Sequence, residues 1–364
     1  MKIVHVVDSM EVGGAETLVA QMCRLQREQG HDPEVYAIAK LGALGERMRA
    51  EGFRVEAELG RKLIDSSLAF LRLFRAFRPD VVHLHNPTPT IYAAPAARLA
   101  GTASIISTRH SLVAPPRNHV MERKYALAAR FCDWIVGICD ATVNNVKEVG
   151  SAPANKIVRI YNGAVPVQRE HVDHWPAKRG FTLLFVGRLE PVKNLPLLLA
   201  AVRDAVKQNP DIQLWILGDG TQRASLEDLS RQFGVESNVT FWGQQLEVGR
   251  FFSAADAFVM SSVSEGLPMS LLQAFSIGLP AIVTDVGGMA EVVRFAGGGE
   301  VVPVTDNAAM TAAVLDLAAN PQRRKQFSVN AAAAYQEHFT LAAMVDAYLE
   351  LYRNTPRARR AAGR

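Results

Sequence analysis

Ser261–Asp285 reads SSVSEGLPMSLLQAFSIGLPAIVTD. A short polar loop, Ser261 to Pro268, holds a single carboxylate, Glu265. An apolar run compatible with a helix follows, carrying Leu271, Leu272, Ala274, Phe275 and Ile277, and Gly278 and Pro280 end it. Ala281-Ile282-Val283-Thr284 is then a short β-rich run. Loop, helix and strand in that order make one unit of an α/β fold, with Glu265 at a loop-to-helix junction. The first amides of a helix lack intrahelical acceptors and lie at the positive end of its dipole, so this junction suits an anionic ligand. An ordinary connecting loop of an α/β domain has the same appearance, and both readings stand at this level.

The same alternation extends in both directions. Lys2–Val7 reads as a first strand, followed by a glycine loop with Gly13, Gly14 and Glu16 and a helical pattern from Thr17 to Gln29. Buried strands are expected at Asp80–His85, Ser104–Thr108, Trp134–Gly137 and Lys156–Ile160, with a basic helix over Arg117–Arg130. Residues 166–180, polar and proline-bearing, read as a linker, and a second alternating series follows. Strands alternating with helices argue parallel sheets covered on both faces. The chain of 364 residues is thus two α/β halves in tandem, about 1–165 and 166–340, ending in a helix over Leu341–Tyr352.

Charge excludes one class of partner. The formal net charge is +4, but five of the 40 basic residues lie in the last twelve positions, which leaves 35 basic against 36 acidic residues elsewhere. The body is near neutral, so a sequence pI of about 9.0 is no argument for nucleic-acid binding. The tail itself reads as a solvated end. Three cysteines, Cys23, Cys132 and Cys139, lack metal-ligand spacing and fit buried thiols of a reduced, cytoplasmic protein. No apolar run reaches a spanning length of about 18 residues. The basic residues Arg61, Lys62, Arg72, Arg75 and Arg78, and Arg117, Arg123, Lys124 and Arg130, accompany apolar helix positions. Solvated helix faces explain them; a patch for an anionic membrane surface is the sharper alternative.

Val186-Gly187-Arg188-Leu189-Glu190-Pro191-Val192-Lys193-Asn194 lies between a strand and a helix. Arg188 and Lys193 therefore sit beyond the carboxyl end of a parallel strand, where such sheets bind ligands. Two cations there suit a diphosphate, since arginine can grip two oxygens and lysine acts as a point charge. In the first half, His83 and His85 share one face of a strand, and His110 lies just past another.

Three stretches carry a resemblance. VGRLEPVKN, SEGLPMSLLQA and the early GGAE are similar to motifs of the retaining GT-B glycosyltransferases of glycosyltransferase family 4, also called group 1. The family's donor signature S-x-x-E-G-x-P-x-x-x-x-E-A is matched at Glu265, Gly266, Pro268 and Ala274, but Gln273 replaces its second glutamate.

The resemblance implies two Rossmann-like domains facing across a cleft, the first binding acceptor and completed by about 341–364, the second binding a nucleotide-diphosphate sugar. It implies hexose transfer with retention to a glycan or lipid-linked acceptor, in cell-surface polysaccharide or glycolipid synthesis, with no metal and no cofactor. The absence of a D-x-D triad agrees with a metal-independent enzyme. Arg188 and Lys193 would hold the pyrophosphate; Glu265 would hold sugar hydroxyls, with Gly266, Leu267 and Pro268 in the same loop. Gly218 and Asp219 would form a turn beside the donor, Gln273 would meet the ribose, and His110 would face the donor sugar. Gly13, Gly14 and Glu16 would form an acceptor or phosphate loop. A GT-B sugar-nucleotide epimerase and a catalytically silent nucleotide-sugar binding subunit, suggested by Gln273, are the alternatives. The expected location is cytoplasmic, with peripheral attachment to the inner face of the membrane as a variant of it.

Overall fold

The computed structural model describes residues 1–59, 63–113, 119–169, 180–245 and 247–362. The chain divides into two compact units, Met1–Gly163 with Leu341–Arg364, and Ala164–Thr340. Arg61, Lys62, Arg117 and most of the expected linker lie outside the described residues.

The first unit alternates β1 (Lys2–Val7), α1 (Gly14–Glu28), β2 (Asp32–Ala37), α2 (Gly42–Ala50), β3 (Val55–Glu56), α3 (Leu63–Phe77), β4 (Val81–His85), α4 (Pro87–Leu99), β5 (Ser104–Arg109), α5 (His119–Ala129), β6 (Trp134–Gly137), α6 (Asp140–Val149) and β7 (Ile157–Arg159). The seven strands are parallel in the order β3-β2-β1-β4-β5-β6-β7. Period-two alternation divides each strand between two layers. Val4, Val6, Val82 and Leu84 pack with Phe70 and Phe74 of α3 and the small face of α4. Val7, Val35 and Ala37 pack with Val19, Ala20 and Cys23 of α1. The three cysteines are free and buried.

The second unit runs β8 (Thr182–Val186), α7 (Leu195–Val206), β9 (Gln213–Leu217), α8 (Arg223–Gln232), β10 (Val239–Gly243), α9 (Gly249–Ala254), β11 (Ala257–Met260), α10 (Met269–Ser276), β12 (Ala281–Thr284), α11 (Gly287–Ala296) and β13 (Gly299–Val302). Its parallel sheet has the order β10-β9-β8-β11-β12-β13. α12 (Asn307–Ala319) packs on α7, and α13 (Pro321–His338) on α10. The chain then returns to the first unit as α14 (Leu341–Arg353), which packs on α1 and β5, and α15 (Pro356–Ala362). Strand order reverses at β1/β4 in one unit and at β8/β11 in the other. At such switch points adjacent connections leave on opposite faces and open a crevice beyond the strand ends.

Two differences from the sequence reading have physical causes. A helix stands between β6 and β7 where none was expected. DATVNNVKEV is rich in β-branched residues and asparagine, which weaken intrinsic helix propensity; Thr142, Val143 and Val146 are buried, and Gly150 ends the helix in the left-handed region at φ 70°. The basic tail, expected as a solvated end, does expose Arg357 and Arg359, but it begins as a helix, α15, anchored by buried Thr355, whose hydroxyl donates to the carbonyl of Ala103.

Candidate functional site

The second unit's switch point brings together the loops that follow β8 and β11. Lys193 Nζ lies 2.5 Å from Glu265 Oε1, with both side chains about 14% exposed. Backbone and hydroxyl contacts fasten the same two loops: Val263 N donates to the carbonyl of Val192 at 2.9 Å, and Ser261 Oγ to that of Lys193 at 2.9 Å. A single turn, Pro191–Lys193, with Asn194 in the left-handed region, carries Lys193 into this position. Arg188, in the same loop, is exposed; its carbonyl accepts from Glu190 N, and its guanidinium makes no hydrogen bond or ion pair among the described residues. One paired and one uncommitted cation therefore stand at this mouth, with one carboxylate.

Glycines make the close approaches. Gly218, at φ 131°, lies so near the carbonyl of Gly187 that a Cβ would stand 1.9 Å from its oxygen. Gly287, at φ 52°, is equally close to the carbonyl of Glu265, at 1.8 Å, and Gly288 N donates to the carbonyl of Gly266 at 2.6 Å. Contact and backbone conformation both demand glycine at Gly218 and Gly287. Leu267 is buried, and Pro268 is the N-cap of α10. Neither α10 nor α11 has a side-chain cap; the first amides of α10 remain available to an anion, whereas Gly288 N of α11 is already bonded to the Gly266 carbonyl. Asp219 is exposed, caps its own neighbour Gly220 N at 2.8 Å and reaches Arg223 at 3.4 Å. Gln273, half-buried on α10, has no side-chain partner among the described residues, and its carbonyl accepts from Ser276.

In the first unit, Gly13 caps α1, and Thr17 N donates to its carbonyl at 2.9 Å. The Glu16 carboxylate folds over Gly13, while Gly14 is exposed and a Cβ there would touch nothing. Packing therefore does not require glycine at Gly14. Asp8, at the end of β1, has its pKa raised by burial first, opposed by a hydrogen bond from Thr88 and aided by the nearby Glu16 charge.

The histidines form a connected group that sequence spacing only partly reveals. His5 on β1 stands beside His83 on β4 in register. His5 Nε2 meets Gln26 Oε1 of α1 at 2.9 Å, and His5 Nδ1 meets His85 Nε2 at 3.0 Å. His85 Nδ1 meets His110 Nε2 at 3.0 Å. His83 pairs with Tyr352 Oη of α14 at 2.7 Å and with Thr108 Oγ1 at 2.7 Å, and Thr108 with Tyr348 at 3.0 Å. Asn86 fixes His110 through its side-chain oxygen, which accepts from His110 N at 3.1 Å. Burial lowers the pKa of His5 to about 4, against its hydrogen bond to Gln26 Oε1, and that of His110 to about 4. His83 and His85 are also lowered well below the usual value, by burial and then by the neighbouring imidazoles. All four are neutral at pH 7.

His5, His83 and His85 also lie close enough to share a metal ion. Their ring nitrogens are already spent in hydrogen bonds to one another, to Gln26, Tyr352, Thr108 and His110. A cation there would have to displace a closed network, so the arrangement fits a hydrogen-bonded group better than a ligand set. His5, Gln26, Tyr348 and Tyr352 were not singled out from sequence; the only advance signal was a polar residue inside the apolar run of β1.

A family model for "Glycosyl transferases group 1" matches residues 167–334, and one for "Glycosyltransferase Family 4" matches residues 12–167. The lipopolysaccharide core biosynthesis glycosyltransferase LpsD of Rhizobium meliloti is 30% identical over 172 residues, 47% of this chain and 49% of that protein. LpsE of the same organism, described in the same words, is 28% identical over 230 residues, 62% of this chain and 66% of that protein. The chain thus aligns to about half of one relative and 66% of the other. Among solved structures, Anabaena HepE in complex with UDP superposes with a TM-score of 0.83 at 19% identity, over 96% of this chain and 99% of that one, which shows a common fold. Two adjoining family models that between them run from residue 12 to 334, and the shared fold, identify the chain as a member of the group 1, family 4-type glycosyltransferases of GT-B fold.

Proposed function

We propose that the protein transfers a hexose from a nucleotide-diphosphate sugar to a glycan or lipid-linked acceptor, with retention at the anomeric carbon and without a metal, in the synthesis of a cell-surface polysaccharide or glycolipid. The observation that carries this reading is the β8/β11 mouth, where Arg188, Lys193 and Glu265 stand beside the uncapped amino ends of α10 and α11. Positive charge and free amides are what a diphosphate requires. HepE, of the same fold, is described in complex with UDP and with UDP-glucose, which supports a donor of that class here.

As the glycosidic bond to the diphosphate lengthens, negative charge grows on the leaving oxygens. Fixed cations there stabilise the transition state more than the ground state. Lys193 has three donors, so it can keep Glu265 and still reach a phosphate oxygen. Glu265 then orients both the lysine and the sugar hydroxyls. The anomeric carbon takes on oxocarbenium character as its bond to the diphosphate oxygen breaks, and the acceptor hydroxyl attacks from the face the diphosphate leaves, passing its proton to the departing diphosphate oxygen. Gly14, where packing does not demand a glycine, leaves room for a ligand to approach the start of α1. We assign residues 1–163 with 341–364 to the acceptor and 164–340 to the donor.

The test is a panel of nucleotide sugars screened by thermal shift, followed by product analysis with the one that stabilises the protein. A new glycoside of retained configuration is expected; an epimerised nucleotide sugar or unchanged ligand would overturn the reading. Arg188→Ala should cost roughly 2–5 kcal/mol of transition-state stabilisation. Unaltered kcat/KM in that variant would remove Arg188 from the site.

A further inference from the structure

We propose that Gln26, buried on α1, is a positioning residue that sets the tautomer of His110 through His5 and His85, so that His110 holds its proton on Nε2 and offers Nδ1 as a hydrogen-bond acceptor.

The inference follows from counting protons along the chain Gln26–His5–His85–His110. A neutral imidazole has one donor and one acceptor nitrogen. Each link is a nitrogen or oxygen pair 2.9–3.0 Å apart, and each such contact contains one proton. Choosing the donor at any one link therefore fixes all the others. With Gln26 Oε1 accepting from His5 Nε2, His5 Nδ1 must accept from His85 Nε2, and His85 Nδ1 must accept from His110 Nε2. His110 Nδ1 is left with its lone pair. If the Gln26 amide were turned, every proton would move to the opposite nitrogen, and His110 would donate from Nδ1. The two states of the chain are complete reversals of each other; a mixture breaks a link in the interior.

Two considerations select the first state. It places the proton on Nε2 in all three rings, the tautomer that free neutral histidine prefers. It also directs the buried Gln26 amide nitrogen toward Tyr352 of α14, although the nitrogen makes no hydrogen bond there. Tyr352 in turn holds His83 at 2.7 Å. The chain stays neutral because burial depresses each imidazole's basicity, which supports treating every ring as a one-donor, one-acceptor group.

His110 is the one member at the edge of this group. It follows β5, at the carboxyl end of the sheet, and is half-buried where His5 and His85 are fully buried. Among the described residues nothing pairs with its Nδ1. The lone pair is thus available to a hydroxyl. Donation by three imidazoles in series polarises the chain in one direction and strengthens that acceptor. If His110 faces the donor sugar, which rests on the transferase reading above, this acceptor selects a sugar hydroxyl as its partner and rejects a second acceptor.

The experiment uses the full-length protein labelled with 15N-histidine, with long-range proton–nitrogen spectra at pH 7.5 and His110 assigned from His110→Gln. A single Nε2–H tautomer at His110 is expected in the wild type. Gln26→Met should give a mixture of tautomers, and Gln26→Glu, whose side chain when ionised only accepts, should restore the single one. If Gln26→Met does not fold, His5→Gln interrupts the next link and carries the same expectation. An Nδ1–H signal in the wild type, or an unchanged single tautomer in both interrupting variants, overturns the proposal. Kinetics with the donor found by product analysis give the second readout: Gln26→Met should lower kcat by about tenfold with little change in donor KM, and Gln26→Glu should recover it. Spectra as expected with unchanged kcat would overturn the link between the tautomer and transfer. Spectra as expected in a wild type without transferase activity would overturn the functional reading and leave the tautomer relay standing.

Discussion

Lowering the pH from 7.5 to 5.0 should destabilise the first unit through its buried histidines. The sign follows from proton counts. His5 and His110 have folded pKa values of about 4 against an ordinary 6.5, so between those values the unfolded chain binds more protons. Stability then falls as pH drops below 6.5 and levels off near 4. At pH 5.0 an unfolded histidine is almost fully protonated while the folded one is almost wholly neutral, which costs about 2 kcal/mol per group. The two together give about 4 kcal/mol, a large part of the roughly 5–15 kcal/mol typical of a native domain. His83 and His85 act in the same direction. Asp8 and Glu34, whose carboxyls burial holds above their ordinary values, act in the opposite one. The comparison is therefore best made by difference. Urea unfolding, read from hydrogen exchange of β1 and β4 amides, should show His5→Gln losing about 2 kcal/mol less than wild type between pH 7.5 and 5.0. Equal losses in the two proteins would refute the assignment of a buried neutral His5.

Three further outcomes are expected. Gln273→Glu should tighten donor binding about five- to tenfold by calorimetry with little change in kcat, because a charged acceptor adds on the order of 1 kcal/mol to a ribose hydrogen bond; weaker binding would show that the glutamine is matched to a different ribose environment, and restored catalysis in an otherwise inactive protein would favour the silent subunit. Activity should survive EDTA, since Arg188 and Lys193 supply the leaving-group charge; loss restored by Mg²⁺ would mean that the diphosphate is neutralised by a metal instead. Liposomes of anionic lipid should bind the protein in a salt-sensitive way through α5, where Val120 and Leu127 are exposed beside Arg123, Lys124 and Arg130; equal partitioning onto neutral vesicles would remove that patch.

How much of this was legible in the sequence depended on the range of the interaction. Strands such as Lys2–Val7 and Trp134–Gly137 announce themselves within a few residues, because burial on both faces selects apolar and β-branched side chains locally. The helix Asp140–Val149 did not, because its local propensity opposes it and tertiary burial of Thr142, Val143 and Val146 decides the outcome. Likewise, Arg188, Lys193 and Glu265 can be picked out as candidates from the loops that bear them, but not the ion pair between Lys193 and Glu265, which joins positions 72 residues apart.

The histidine group is the extreme case. His83 and His85 share a strand face by simple alternation, yet their partners include His5 on β1, His110 in the loop after β5 and Tyr352 on α14, at separations of 80, 25 and 269 residues, and Gln26 of α1 joins the group through His5, 21 residues away. Strand order and register place His5 beside His83, and the return of α14 onto α1 and β5 closes the group with Tyr348 and Tyr352. A polar residue in a buried strand costs stability unless it finds a partner, so His5 in the run KIVHVV already signalled that one existed. It could not signal which. That identity is a property of the folded sheet and its covering helices, and it is why removing a helix residue, Gln26, is expected to be felt at His110, two imidazoles away.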